Sequence, residues 1–108
     1  MNNTKKVRLA VSERAQGSCE AIGCGRWIGL QGEDGQLDHA FGRAKYAETP
    51  ASCWLLCPHC HTEKTLNRPT AAAWLRCFIA HCELYGFTAE RELALTKLST
   101  LTAKGRAA

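Results

Sequence analysis

The chain has 108 residues, the length of one small domain spanning 1–108. Lysine and arginine total 14 against 10 acidic residues, a net charge of +4, with 45% hydrophobic and 22% charged residues. That balance is the composition expected of a soluble globular protein. No apolar run approaches the ~20 residues of a membrane span, so no membrane partner is expected, and the basic excess suits a polyanion such as nucleic acid.

The opening "MNNTKKVRLAV" has no long apolar core and no small-residue cleavage site, so a cytoplasmic protein without a signal peptide is expected. Within residues 5–16, Val7 and Val11 are four apart, which predicts a short helix that Gly17 and Ser18 end. "CEAIGCG" is a glycine-punctuated turn between Cys19 and Cys24. "RWIGL", residues 26–30, predicts a short strand, and "QGEDGQ" a hairpin turn. Residues 37–41, "LDHAF", predict a second strand, and 42–52 a polar loop containing Pro50. "CWLLC", 53–57, predicts a strand paired with 37–41. "PHCHTEKTLN" then predicts a short helix, because proline at its first turn loses no needed N–H.

The clearest helix runs from residue 69 to 85. Trp74, Phe78, Cys82 and Tyr85 form one stripe, joined by Ala71 and Leu75, and Gly86 ends it. Thr88 is placed to cap a last helix, "AERELALTKLST", followed by a frayed tail. The fold class is therefore α+β, with an N-terminal helix, a motif core over 19–66 and a C-terminal helical extension over 69–103.

Seven cysteines are many for this length. An odd count without an export signal argues against a disulfide framework and for metal ligands. Cys57 and Cys60 form a C-x-x-C knuckle, whose spacing lets two thiolates from one turn grip a tetrahedral zinc. Cys19 and Cys24 are the natural second pair, since "EAIG" is small and can loop back. Cys77 and Cys82 compete poorly: five helical residues turn a side chain by roughly 500°, about 140° net, onto different faces. They read as small buried hydrophobes, Cys53 as core, and His81 as a surface or partly buried structural histidine. The Pro-His filling of Cys57–Cys60 also occurs in disulfide oxidoreductases, but nothing upstream has their strand pattern.

Asp38 and His39 stand apart from any zinc requirement. A phosphodiester hydrolase needs a divalent ion to neutralise phosphate and a base to deprotonate water. Asp38 offers a hard oxygen ligand, and a histidine such as His39 titrates near neutrality. Strand alternation would send these two side chains to opposite faces unless the strand bends at its end. Taken singly, Asp38 could equally be a turn or cap residue, His39 a structural histidine and His61 a zinc ligand.

From about Val7 to Thr65, "VRLAVSERAQGSC", "LDHAFGR" and "SCWLLCPHCHTEK" resemble the HNH endonuclease family, whose pattern is Asp-His, then Asn-Leu, then Cys-x-x-Cys-His-x-x-Lys. The resemblance implies a ββα-metal core around one catalytic divalent cation (magnesium, manganese, nickel or zinc), with a separate structural zinc on Cys19, Cys24, Cys57 and Cys60. It implies His39 as general base, and Asp38 and His61 as ligands of the catalytic ion. DNA is the implied substrate. Arg43 and Lys64 are candidates for phosphate contact, and His59 is expected to face solvent or phosphate. The pattern departs at Ser52, which stands where the family has asparagine. Serine is shorter and lacks the amide fork, so orientation of His39 falls to another group or activity is lower. A small single-domain member resembles those carried by bacteriophages and prophages, with a homodimer or a larger phage or host complex as possible assemblies. The alternative is a zinc-stabilised DNA-binding module with a weak or inactive nuclease site.

Overall fold

The computed structural model describes residues 2–42, 46–66 and 71–107, with side chains described to residue 103. Arg43 and the first two residues of the predicted 69–85 helix lie outside the described residues. Among the described residues the fold is α+β, with four helices and one two-stranded antiparallel sheet.

Helix α1 spans Asn3–Ala15. It starts two residues before the predicted 5–16 helix because Asn2 caps it, its side-chain oxygen accepting the Lys5 N–H at 2.8 Å. Val7, Val11 and Ala15 recur every four residues and are buried along one face. Gln16 and Gly17 turn the chain out through left-handed backbone, φ 49° and 81°. At Gly17 a side chain is also excluded by space, since a Cβ would stand 2.5 Å from the Trp27 ring.

The predicted 26–30 strand is not formed. Trp27 makes only an isolated bridge to Ser18. The run is interrupted by Gly29 at φ 94°, and Gly32 N–H to Gly29 O and Gly35 N–H to Gly32 O bonds convert 29–35 into successive turns. Strand β1, Gln36–His39, instead pairs with β2, Cys53–Leu56, as the 37–41 and 53–57 readings anticipated. Asp38 lies opposite Trp54, and His39 opposite Cys53.

All four residues of β2 are buried. Its outer edge is covered by Glu20, whose N–H donates to Leu55 O at 2.8 Å and whose carboxylate accepts the Leu55 N–H at 2.9 Å. Arg14 neutralises this buried acid at 2.7 Å and donates to Cys53 O, tying α1 to the turn carrying Cys19. A buried charge held in this way needs its partner, since removing one member of such a pair typically costs 3–5 kcal/mol.

Helix α2, Pro58–Leu66, follows β2 directly and packs on the sheet. Helix α3, Ala71–Tyr85, covers Trp54 with Phe78 and Trp74, both edge-on to its indole at 5.1 and 6.3 Å between centroids. Burial of a side chain the size of Phe78 contributes on the order of 2–3 kcal/mol. Two expectations for this region need correction. His81 is fully buried rather than near the surface. Helix α4, Thr88–Ala107, includes Thr88 in its first turn and continues through the tail predicted to fray. The tail's alanines and basic residues are good helix formers, and Gly105 alone opposes them by about 1 kcal/mol. Helix α4 folds back along α3 through Ala94, Leu95 and Leu98. Among the described residues, no helix is long and apolar enough to cross a membrane.

Candidate functional site

Two clusters of chemically capable side chains flank helix α2. The first holds Cys19, Cys24, Cys57 and Cys60, whose sulfurs all lie within 4.8 Å of one another. A tetrahedral zinc with Zn–S bonds of about 2.3 Å sets its sulfurs about 3.8 Å apart, so the four thiols need only a small contraction to hold one. Cys24 is exposed and the other three are buried. Backbone amides already point at the sulfurs: Cys57 N–H donates to Cys19 Sγ at 3.2 Å, and Cys60 N–H to Cys57 Sγ at 3.4 Å. Such donors favour thiolates.

Burial and hydrogen bonding pull the thiols of this cluster in opposite directions. Burial above all pushes the Cys19 thiol up to about 11 and raises Cys60 as well. Burial also opposes ionisation of Cys57, yet the donors around it, the Cys60 amide first, bring it below the usual thiol value. A cation binding here displaces protons from thiols that otherwise keep them. The other three cysteines stand apart. Cys53 and Cys82 are buried in the core, and Cys77 is half-buried with its thiol 3.8 Å from Ile22 O.

The second cluster forms across β1 and α2. Residues 57, 60 and 61 show how one helix start serves both sides. Cys60 faces the sulfur cluster, and His61, one residue and about 100° further round, faces the sheet. Lys64 lies three residues on from His61 and therefore on the same face. Both reach Asp38: His61 Nε2 is 3.8 Å from Asp38 Oδ1, and Lys64 Nζ is 3.0 Å from Asp38 Oδ2. Asp38 is buried and fixed from below by the Trp54 indole N–H, which donates to Oδ2 at 2.8 Å. Its Oδ1 and the His61 nitrogen are too far apart for a hydrogen bond. A hard oxygen facing an imidazole nitrogen is a donor pair suited to a small divalent cation.

Asp38, His39 and His61 line one cleft of about 370 Å³, with Gln36, Leu37 and Gly42. His39 is the last residue of β1, where Gly42 N–H bonds back to His39 O and the chain turns away. That bend lets two adjacent strand residues border the same cleft. The imidazole of His39 is held by a residue the sequence reading did not select. Its Nε2 lies 2.5 Å from Glu48 Oε2. The other carboxylate oxygen, Oε1, accepts from the Thr4 hydroxyl at 2.9 Å and the Asn3 amide at 3.1 Å. The His39 ring first, then the Thr4 hydroxyl, hold the Glu48 carboxyl below the ordinary carboxylate range.

Ser52, placed by sequence in the asparagine position, bonds within its own turn. Its hydroxyl accepts the Thr49 N–H at 3.1 Å and donates to Ala47 O at 3.0 Å. Lys64, proposed for phosphate, is spent on Asp38 in this state. His59 is exposed, as anticipated. Glu48 had no local signature: it sits in a polar loop nine residues beyond its partner. Trp54 read as core, and it is core, yet its one polar atom is what fixes Asp38.

A scan against protein-family models finds no match, and searches of curated proteins and of solved structures likewise return none.

Proposed function

We propose that the protein is a small metal-dependent endonuclease of the HNH kind that hydrolyses DNA phosphodiester bonds. The observation that carries this reading is the convergence of Asp38, His39 and His61 on one cleft lined by β1, the turn at Gly42 and the start of α2. The four-cysteine cluster on the far side of α2 is assigned a structural zinc. Strand, strand and helix in this order support the ββα-metal reading of the core.

In this reading His39 removes a proton from water, and the resulting hydroxide attacks phosphorus. The P–O3′ bond breaks and the departing 3′-oxyanion takes a proton from solvent, leaving a 5′-phosphate and a 3′-hydroxyl. Asp38 and His61 would hold a divalent cation, which would neutralise phosphate charge. Trp54 keeps the Asp38 carboxylate aimed at the cleft. Lys64 exchanges its contact with Asp38 for the phosphate of the bound strand. Arg43 is a second candidate for that strand.

One observation favours the second reading, a DNA-binding module with a weak or inactive nuclease site. The Lys64 ammonium occupies an oxygen of Asp38 at 3.0 Å, where a cation would otherwise compete. Plasmid cleavage separates the two. Zinc-loaded wild type and His39→Ala are incubated with supercoiled plasmid and magnesium, manganese or nickel, with a chelator control. Metal-dependent cutting by wild type, lost in His39→Ala at unchanged zinc content, is the expected result. Equal inactivity of both folded proteins sinks the nuclease reading in favour of the binding module.

A further inference from the structure

We infer that Glu48 is the positioning residue of His39, standing in for the orienting asparagine that the chain lacks. The inference rests on the nuclease reading of His39. Its observation is a carboxylate whose two oxygens have separate tasks. Oε1 is anchored to the first turn of α1 by Asn3 and Thr4, and Oε2 is presented to His39 Nε2 at 2.5 Å. Helix α1 has no acidic residue of its own in that turn, so Glu48 also supplies the negative charge a helix N-terminus favours.

Both partners are fixed to the same two residues of the chain. Glu48 lies between Ala47 and Thr49, the two residues that the Ser52 hydroxyl gathers. The Ser52 N–H donates to the Thr49 hydroxyl at 3.1 Å and closes the turn from the other side. His39 is registered against Cys53, and the next residue, Ala40, donates its N–H to Ser52 O at 3.0 Å. The segment 52–53 thus sets the separation of acid and imidazole. Serine at position 52 does not replace the amide fork by contact. It shapes the turn that delivers a carboxylate.

The chemical consequence follows from donor counting. An ionised carboxylate only accepts, so His39 Nε2 must carry hydrogen. The lone pair of the neutral ring then resides on Nδ1, and that nitrogen takes the proton from water. The Glu48 carboxylate meets His39, Asn3 and Thr4, so it is placed to act through His39. It holds one ring orientation and stabilises the imidazolium that forms, the service an acid performs for a catalytic histidine elsewhere.

The test compares zinc-loaded wild type, Glu48→Gln, Glu48→Ala, Glu48→Asp, His39→Ala and the Glu48→Ala/His39→Ala double variant. All are checked first for zinc content and thermal midpoint. Glu48→Gln keeps the side-chain shape and so guards against loss of the loop in Glu48→Ala. Proton–nitrogen NMR of the wild type is expected to show a slowly exchanging, downfield ring N–H on His39 Nε2, absent from His39→Ala and lost in Glu48→Ala. In plasmid cleavage, Glu48→Ala and Glu48→Gln are expected to lower kcat about 10- to 100-fold with KM nearly unchanged, and Glu48→Asp to recover part of it. Glu48→Ala should add nothing to His39→Ala, because residues acting as one unit are not additive. A wild-type His39 with its hydrogen on Nδ1, or an additive double variant, overturns the inference. Wild type that keeps the Nε2 hydrogen but cuts no DNA upholds the positioning and overturns the nuclease reading instead.

Discussion

His81 gives the sharpest stability prediction. Its ring is fully buried, stacked on Phe78 at 5.6 Å and bordered by Trp54 and Tyr85. Neither ring nitrogen has a hydrogen-bond partner among the described residues. Burial first, and the nearby Arg14 charge second, push its pKa down from 6.5 to about 4. The sign follows directly. The unfolded chain binds a proton in a range where the folded one refuses it, so stability is complete above pH 6.5 and is lost as pH falls toward 4. The full loss is about 3 kcal/mol at 1.36 kcal/mol per pH unit, and about 2 kcal/mol of it is gone by pH 5. His81→Phe removes the titration and keeps a flat ring among aromatic neighbours. It also removes two buried unpaired polar atoms, a gain of about 1–3 kcal/mol that offsets the strain of a slightly larger ring. Urea unfolding of both zinc-loaded proteins at pH 7.5 and pH 5 should show wild type losing about 2 kcal/mol more than the variant. Acid weakening of the cysteine cluster affects both alike and cancels in the comparison. Parallel pH dependence of the two proteins would refute the reasoning, because His81 would then have a partner that holds its proton.

Three further outcomes concern the two candidate metal clusters. Purified protein should carry one zinc per chain by elemental analysis, lost in Cys24→Ser and retained in Cys77→Ser. Its zinc affinity should fall as pH falls, because binding displaces protons from the raised Cys19 and Cys60 thiols. Lys64→Met should bind manganese about fivefold more tightly by calorimetry, the cation no longer competing with a partly exposed ion pair worth about 1 kcal/mol. An unchanged or weaker manganese affinity would mean that Asp38 is not the ligand.

What was legible in the sequence was what local pattern encodes. The Trp74, Phe78, Cys82 stripe announced α3, and the unbroken apolar "CWLLC" announced a buried strand. The knuckle Cys57–Cys60 announced its cluster, because ligand spacing within one turn is a local property. The 26–30 strand failed for a local reason too. Its residues have the composition of a strand, but Gly29 takes a left-handed conformation that ends the extended run. Glu48 was invisible for another reason. Nothing in "YAETPAS" says that its acid meets His39, since that meeting depends on how α1 and Ser52 fold the loop. The burial of His81 was equally hidden, because a helix stripe shows which residues share a face but not how far a neighbouring helix will cover it.

The C-terminal helices lie outside the part of the chain that carries the motif, yet they reach the candidate active site through one side chain. Trp54 is wedged between Trp74 and Phe78 of α3 on one side and donates its indole N–H to Asp38 on the other. Indole is the side chain that can do both, offering a broad apolar ring with one donor at its edge. The position of Asp38 is therefore set by core packing as well as by strand register. Its direct neighbours His61 and Lys64 are set by α2, whose start is fixed by Cys57 and Cys60. Packing of α3 acts on the acid, and the turn at Cys57 and Cys60 acts on the imidazole and the ammonium. The cleft is where these two constraints meet, so loosening either one should disturb its geometry even when every residue lining it is intact.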